Sequence, residues 1–214
     1  FSNGKLVPFA SSSIPLATLG TFILWFGWFG FNGGSQLALA GFENATAVAT
    51  IYINTNLAAC AGVMTCAVIT RLVNGKTDVI MMLNGALGGL VAITAEPLTP
   101  TPIMAIIIGA IGGIIVILGT QALNKLQIDD VVGAIPVHLF AGIWGTLAVP
   151  LTNSGTSFGP QLLGTASICA FVFVVSFIVW SIMKATIGIR ISEEAEKEGT
   201  DIAETGVTAY AIRD

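Results

Sequence analysis

Apolar residues run almost unbroken through six stretches of the chain, at about 14–40, 46–73, 79–95, 102–123, 131–151 and 162–187, and each stretch is closed by Gly, Pro, Asn or a charged side chain. A helix needs roughly 20 apolar residues to cross a hydrocarbon core about 30 Å thick. Lipid offers no partner to a free backbone amide or carbonyl, and runs of this length exceed the strands of a membrane barrel. The pattern therefore predicts six transmembrane helices, the third of them the shortest. The expected fold class is all-α integral membrane, with a membrane domain over residues 1–190 and a short cytoplasmic tail over 191–214.

Composition agrees with the pattern: 54% of the residues are hydrophobic and 9% charged, and the mean hydropathy is +0.88. These values lie far from those of a water-soluble domain. The net charge of −4 says little about the membrane part, because half of the twelve acids fall between Glu193 and Glu204. With six spans, every basic residue (Lys5, Arg71, Lys76, Lys125, Lys184, Arg190, Lys197, Arg213) falls on one side, and the loops on the other side contain none. Cytoplasmic loops collect Lys and Arg, so a multi-pass protein of the cell membrane with both ends of this chain in the cytoplasm is expected. The basic residues are too scattered for a nucleic-acid surface.

Cys60, Cys66 and Cys169 lie inside apolar runs with neither a CxxC pair nor a Cys/His cluster, so no metal or cofactor is expected. There is no Gly-rich phosphate loop and no GxSxG, and an enzyme is not expected. The first residues lack the charged leader, apolar run and cleavage site of a signal peptide, and the chain is expected to begin inside a longer protein. Glycines at 85 and 89, at 109 and 113, and at 27, 30 and 34 recur at spacings that keep them on or near one helix face, which predicts close helix contact.

Leu24, Trp28, Phe31 and Ser35 are spaced four, three and four apart, which confines them to one stripe of a helix. A hydroxyl beside aromatic faces can hold a small cationic hydrogen-bond donor. An aromatic stripe also serves as packing or as an interfacial belt, and spacing alone does not choose between these roles. His138, the single histidine, falls midway along the fifth run. An imidazole there lines a cavity and passes a proton, or is bonded to a neighbouring helix. Asp129 and Asp130 precede that run, where a carboxylate caps free amides, and Asn54, Asn56 and Asn84 are amides that brace helices or irregular backbone.

Four segments carry a resemblance: GWFGFNGGS at residues 27–35, NTNLAA at 54–59, NGALGGLVAIT at 84–94 and DDVVGAIPVH at 129–138. In order and over nearly the whole chain they resemble the Amt/Mep ammonium transporters, and GWFGFN resembles that branch more than the Rhesus proteins. The tail RISEEAEKEGTDIAETGVTAY is similar to the cytoplasmic end of the family. Ala203 stands where plant members have a phosphorylatable Thr, so regulation by phosphorylation there is not expected.

The resemblance implies a fold of eleven spans of which this chain holds the last six, the first five being absent. It implies ammonium transport: Trp28 and Ser35 at or below an outer ammonium site, Phe31 as one ring of a gate beneath it, and His138 as one of two pore histidines. It also implies Leu24, Leu87 and Ala134 as apolar pore-lining positions, and Asn32 as a brace. The five absent spans would supply the partner histidine and second gate ring, so the chain alone offers half a pore wall. A homotrimer and a PII-type regulator at the cytoplasmic face are further implications. The alternative from another class is an ammonium receptor with the same outer site, signalling through its tail.

Overall fold

A computed structural model of the chain describes residue 6 and residues 11–209; Lys5, Tyr210 and Arg213 lie outside the described residues. The chain divides into two compact units, Phe1–Leu162 and Leu163–Asp214. Among the described residues all regular structure is helical.

The first unit holds α1 (Ile14–Gly34), α2 (Phe42–Asn74), α3 (Val79–Thr94), α4 (Pro102–Lys125) and α5 (Ala141–Ala148), the last preceded by a π-helical segment, Ile135–Phe140. Local chemistry sets the starts. Ser13, Asp78 and Thr101 accept the amide N–H three residues on, from Leu16, Met81 and Met104 respectively, and a proline opens both α1 and α4. α2 closes on Gly75 with φ of 70°, where its Arg71 guanidinium reaches the Gly75 carbonyl. α1 stops at Gly34, earlier than the apolar run. Ser35 bonds back to Asn32, and Leu37 takes a φ of 60°, so the stretch through Ala40 leaves the helix.

α1, α2 and α4 are each long and apolar enough to cross a membrane, whereas α3 and the Ile135–Leu151 segment are shorter apolar helices. The core lies where α2, α3 and α4 meet, and it is built of backbone rather than bulky side chains. A Cβ placed on Gly89 of α3 or on Gly109 of α4 would lie 2.2 Å from the Ala58 carbonyl oxygen of α2. One turn further along α2, a Cβ on Gly85 would lie 2.6 Å, and one on Gly113 2.8 Å, from the Gly62 oxygen. Gly88 and Gly112 bring α3 and α4 together in the same way, with Val116 filling the space beside them. Small residues allow this approach because no side chain stands between the helices. The glycines at 20, 27, 30 and 34 of α1 differ: an added Cβ would meet nothing within 4 Å among the described residues.

The second unit contains most of α6 (Phe158–Thr186), a fourth helix long and apolar enough to span, and then the tail. There α7 (Glu193–Glu198) is capped by the Ser192 hydroxyl and carries the Glu193–Lys197 ion pair, and Glu196 meets Arg190. A turn over Asp201–Thr205 follows. The Asp201 carboxylate accepts the Ala209 N–H at 2.8 Å, and this bond, with that from the Ile202 amide, holds its carboxyl below the ordinary 3.8.

Gly109→Val places atoms where the Ala58 backbone stands. It is expected to cost about 1–3 kcal/mol and lower the unfolding temperature in detergent, whereas Gly20→Ala leaves it unchanged or higher; equal midpoints for the two variants would contradict the backbone contact. In the tail, a carboxyl whose pKa is lowered by folding supports the turn above its ordinary pKa and ceases to do so as pH falls through the lowered one. Amide exchange at Ala209 is therefore expected to be protected at pH 7, and to lose protection in acid or on Asp201→Asn.

Candidate functional site

The stripe begins with Trp28, which lies half-buried on α1. Its indole Nε1–H donates to the Thr94 hydroxyl at 2.7 Å, and that hydroxyl donates to the Leu90 carbonyl at 2.7 Å. Its ring centroid lies 5.8 Å from that of Phe31, the planes tilted by 56°. Phe31 and Leu24 are 64% and 51% exposed, so this face of α1 is uncovered among the described residues. Four residues beyond Phe31, Ser35 is also exposed and caps the helix. Because the Ser35 amide bonds to the Asn32 carbonyl, the Phe31 carbonyl loses its usual partner, and the Ser35 hydroxyl donates to it at 3.0 Å. That bond occupies the hydroxyl hydrogen and leaves the oxygen lone pairs to accept from a ligand.

Asn32, on the inner side of the stripe, is 1% exposed and donates to the Thr55 hydroxyl at 3.0 Å, tying the end of α1 to α2. Its Oδ1 has no partner among the described residues. Asn54, beside Thr55, donates to the carbonyls of Pro97 and Pro100 and pins the loop between α3 and α4. Glu96 in that loop accepts the Leu98 and Thr99 amides, and its other oxygen accepts from Asn153 at 2.8 Å. Thr94 thus sits at the end of a helix whose next turn is held on three sides. Asn56 is exposed and lines an open groove of about 710 Å³ with Phe26, Phe29 and Tyr52, away from these braces.

The histidine lies on the π-helical segment. Pro136 has no N–H, so the Val132 carbonyl lacks its helical donor, and Asn84 of α3 fills the gap, donating from Nδ2 at 3.1 Å. The adjoining Gly133 has φ of 77°, and a Cβ there would lie 2.6 Å from that amide nitrogen. Asp130 accepts the Ala134 and Ile135 amides at 2.9 and 2.8 Å, one on each carboxylate oxygen. Asp129 is exposed. Against α4 the segment presses Phe140 and Pro136 onto Gly119. The Ala141 amide reaches back to the carbonyls of both His138 and Pro136, which is the widened turn; such single π turns are frequent at functional sites. His138 and Ala134, four residues apart, are both exposed, and the imidazole has no hydrogen-bond partner among the described residues.

α3 joins the two regions, since it packs against α1, α2, α4 and the π segment. Leu87 is half-buried and lies seven residues, or about 10 Å of rise, before Thr94 on the same side of α3. The free thiols behave as their settings dictate: Cys66 is buried with its Sγ toward the Gly113 carbonyl, Cys60 is exposed, and Cys169 is intermediate. Among the described residues no group of His, Cys, Asp and Glu could hold a metal ion. Thr94, Thr55, Gly133, Glu96 and Asn153 are the participants that pattern reasoning did not single out; a threonine ending an apolar helix carries no mark of what crosses it in space.

A profile of the Ammonium Transporter Family matches residues 1–210. The chain belongs to that family. It is 42% identical over 228 residues to the ammonium transporter Amt2 of Archaeoglobus fulgidus, covering 97% of this chain and 47% of that protein. It is 36% identical over 208 residues to the ammonium transporter of Bacillus subtilis, covering 90% of this chain and 50% of that one. Among solved structures it resembles a Sensor Amt Protein with a TM-score of 0.88 and 34% identity, over 96% of this chain and 52% of that one. Mep2 of Candida albicans follows at 0.79 and 29%, over 96% and 49%. The chain therefore spans about half the length of the relatives it matches. As a family member with several long apolar helices it is a multi-pass membrane protein, and its family is one of transporters rather than enzymes.

Asp130→Ala removes the acceptor of two amides at the start of the histidine segment. A cost of about 1 kcal/mol is expected, together with faster hydrogen exchange at Ala134 and Ile135, whereas Asp129→Ala leaves both rates unchanged; matching profiles for the two variants would rule out this capping.

Proposed function

We propose that the full-length protein carries ammonium across the cell membrane, taking the ion at an outer aromatic/hydroxyl site with Ser35 at its mouth, Phe31 as a gate ring beneath and Trp28 at or below it, removing its proton, and passing ammonia along an apolar path lined by Leu24, Leu87, Ala134 and His138. The observation that carries this reading is the aromatic and hydroxyl stripe on α1. Aromatic faces and a hydroxyl oxygen with free lone pairs lie on one side of a single helix, in a chain of the ammonium transporter family. A cation is attracted by ring faces and an N–H donor by the serine oxygen, and ammonium is both.

Further in, the lining turns apolar. A charged side chain held in hydrocarbon costs from about 3 to 17 kcal/mol, and neutral ammonia avoids most of this. The imidazole of His138 supplies a hydrogen-bonding group that can accept and return a proton near neutral pH. The proton crosses separately, so that transport carries charge. Asn32 and Asp130 act as supports, the first through Thr55 and the second through the Ala134 and Ile135 amides.

In this reading all six apolar helices span, α3 and the Ile135–Leu151 segment included. They form the last six of eleven spans, with both ends of the chain in the cytoplasm and the tail over 191–214 open to a PII-type regulator. The assembly is a homotrimer. The second reading, a receptor that uses the same outer site and signals through its tail, is favoured by the likeness to a Sensor Amt Protein.

Ammonium-evoked current in the full-length protein separates the readings: transport predicts sustained current, a receptor a tail response without it. His138→Ala is expected to lower the current about tenfold or more. Ser35→Ala, which removes one acceptor, is expected to raise the half-saturating ammonium concentration about fivefold. Passage of tetramethylammonium, which has no proton to give up, at the rate of ammonium would sink the deprotonation step.

A further inference from the structure

His138 lies midway between two points at which its stretch of chain is fastened to other helices. Six residues before it, the Val132 carbonyl accepts from Asn84 Nδ2 of α3 at 3.1 Å; six residues after it, the Trp144 indole donates to the Ile108 carbonyl of α4 at 3.1 Å. Between these points Pro136 and Phe140 rest on Gly119 of α4 through apolar contact. Among the described residues the Asn84 bond is the one hydrogen bond that joins residues 132–140 to another helix.

Both sides of that bond are prepared for it. A carbonyl only accepts, so the Asn84 amide turns its nitrogen to Val132, and Pro136 leaves this carbonyl without a helical donor. Gly133, with φ of 77°, turns the chain there, and a Cβ on it would lie 2.6 Å from the amide nitrogen. Glycine therefore supplies both the turn and the room for the amide. Asn84 is 9% exposed and adjoins Gly85, where an added Cβ would lie 2.6 Å from the Gly62 oxygen of α2. The donor thus belongs to the most closely packed part of the fold, and the acceptor to one of its least regular parts.

The widened turn makes such a tie consequential. A π turn holds an extra residue relative to an α-helix, and the residues 135–140 do not by themselves fix where that residue sits. Were it to move from one side of His138 to the other, the ring would turn by about 100° around the helix axis, one residue's rotation. An imidazole exchanges a proton only within hydrogen-bond reach, about 2.6–3.2 Å, of the atom it serves. A tie at Val132, just ahead of the widened turn, holds the start of the segment against α3 and opposes that rotation.

We propose that Asn84 is a positioning residue for His138: its amide, carried on the immobile face of α3, fixes where the widened turn begins and so the direction in which the imidazole faces. Asn84 takes no part in the proton exchange. The inference rests on the reading of His138 as the hydrogen-bonding group of the ammonia path, and its test separates failure of the one from failure of the other.

The experiment measures ammonium-evoked current, per amount of full-length protein in the membrane, for Asn84→Leu, His138→Ala and the Asn84→Leu/His138→Ala double variant. Leucine approximates the shape of asparagine and has no donor. Asn84→Leu is expected to lower the maximal current about fivefold, with the half-saturating concentration within about twofold of the unaltered value, because the outer site is untouched. The double variant is expected to match His138→Ala alone, since both changes act through one ring. The same fractional loss from Asn84→Leu with and without the histidine would mark a merely structural role and overturn the proposal, as would an unchanged current in the single variant; either result leaves the path reading standing. No effect of His138→Ala would overturn the path reading and this inference with it. Should the leucine variant fail to fold, or His138→Ala leave no current to compare, the unaltered protein decides. The Asn84 side-chain amide is expected to exchange slowly with deuterium, and exchange at the rate of a solvent-exposed amide would overturn the proposal.

Discussion

The carbonyl of Ala58 is approached by two helices at once. Gly89 of α3 and Gly109 of α4 both come so near that neither position has room for a methyl group, and the arrangement repeats a turn later at Gly62 with Gly85 and Gly113. Within a bilayer the hydrophobic effect does not drive helices together, since lipid tails are as apolar as leucine, and association depends on close van der Waals contact. Three backbones in register at two levels supply that contact. Everything else in the first unit hangs from the triangle: α1 leans on α2 and α3, and the histidine segment leans on α3 and α4.

What leans on the core is fastened by hydrogen bonds, each of which supplies a partner that the local chain lacks. Pro136 deprives the Val132 carbonyl of a donor and Asn84 provides one; the helix start at Ala134 and Ile135 lacks acceptors and Asp130 provides two. The end of α1 is tied through Asn32 to Thr55, and the turn after α3 through Asn54 to two proline carbonyls. An unmet polar atom is costly away from water. The ties therefore hold one geometry at the stripe and one at the histidine.

Much of this was legible in the chain because membrane solvent leaves few options. Length and hydropathy set four helices plainly, and the spacing of 85 with 89 and 109 with 113 marked the faces that meet. The same spacing logic did not discriminate at 27, 30 and 34, whose glycines meet nothing among the described residues, because periodicity tells which residues share a face and not what lies opposite. Helix limits shifted for local reasons: α1 ends at Gly34 when Ser35 turns back on Asn32, although apolar residues continue to Ala40. The stripe of Leu24, Trp28, Phe31 and Ser35 could be read from its spacing; the bond from Trp28 to a residue 66 positions away could not.

Rigidity and openness are divided between elements. The glycine triangle has no side chains to offer a ligand, and its tight backbone contacts leave no space for one. α1 has the reverse character: one edge carries the bonds of Trp28 and Asn32 to α3 and α2, while Leu24, Phe31 and Ser35 beside that edge are uncovered among the described residues. A recognition site requires side chains that are both accessible and held still, since ordering a free side chain on binding consumes part of the interaction energy. A helix tied along one edge meets both conditions. The adjacent edge can then be shaped by the ties without being covered by them.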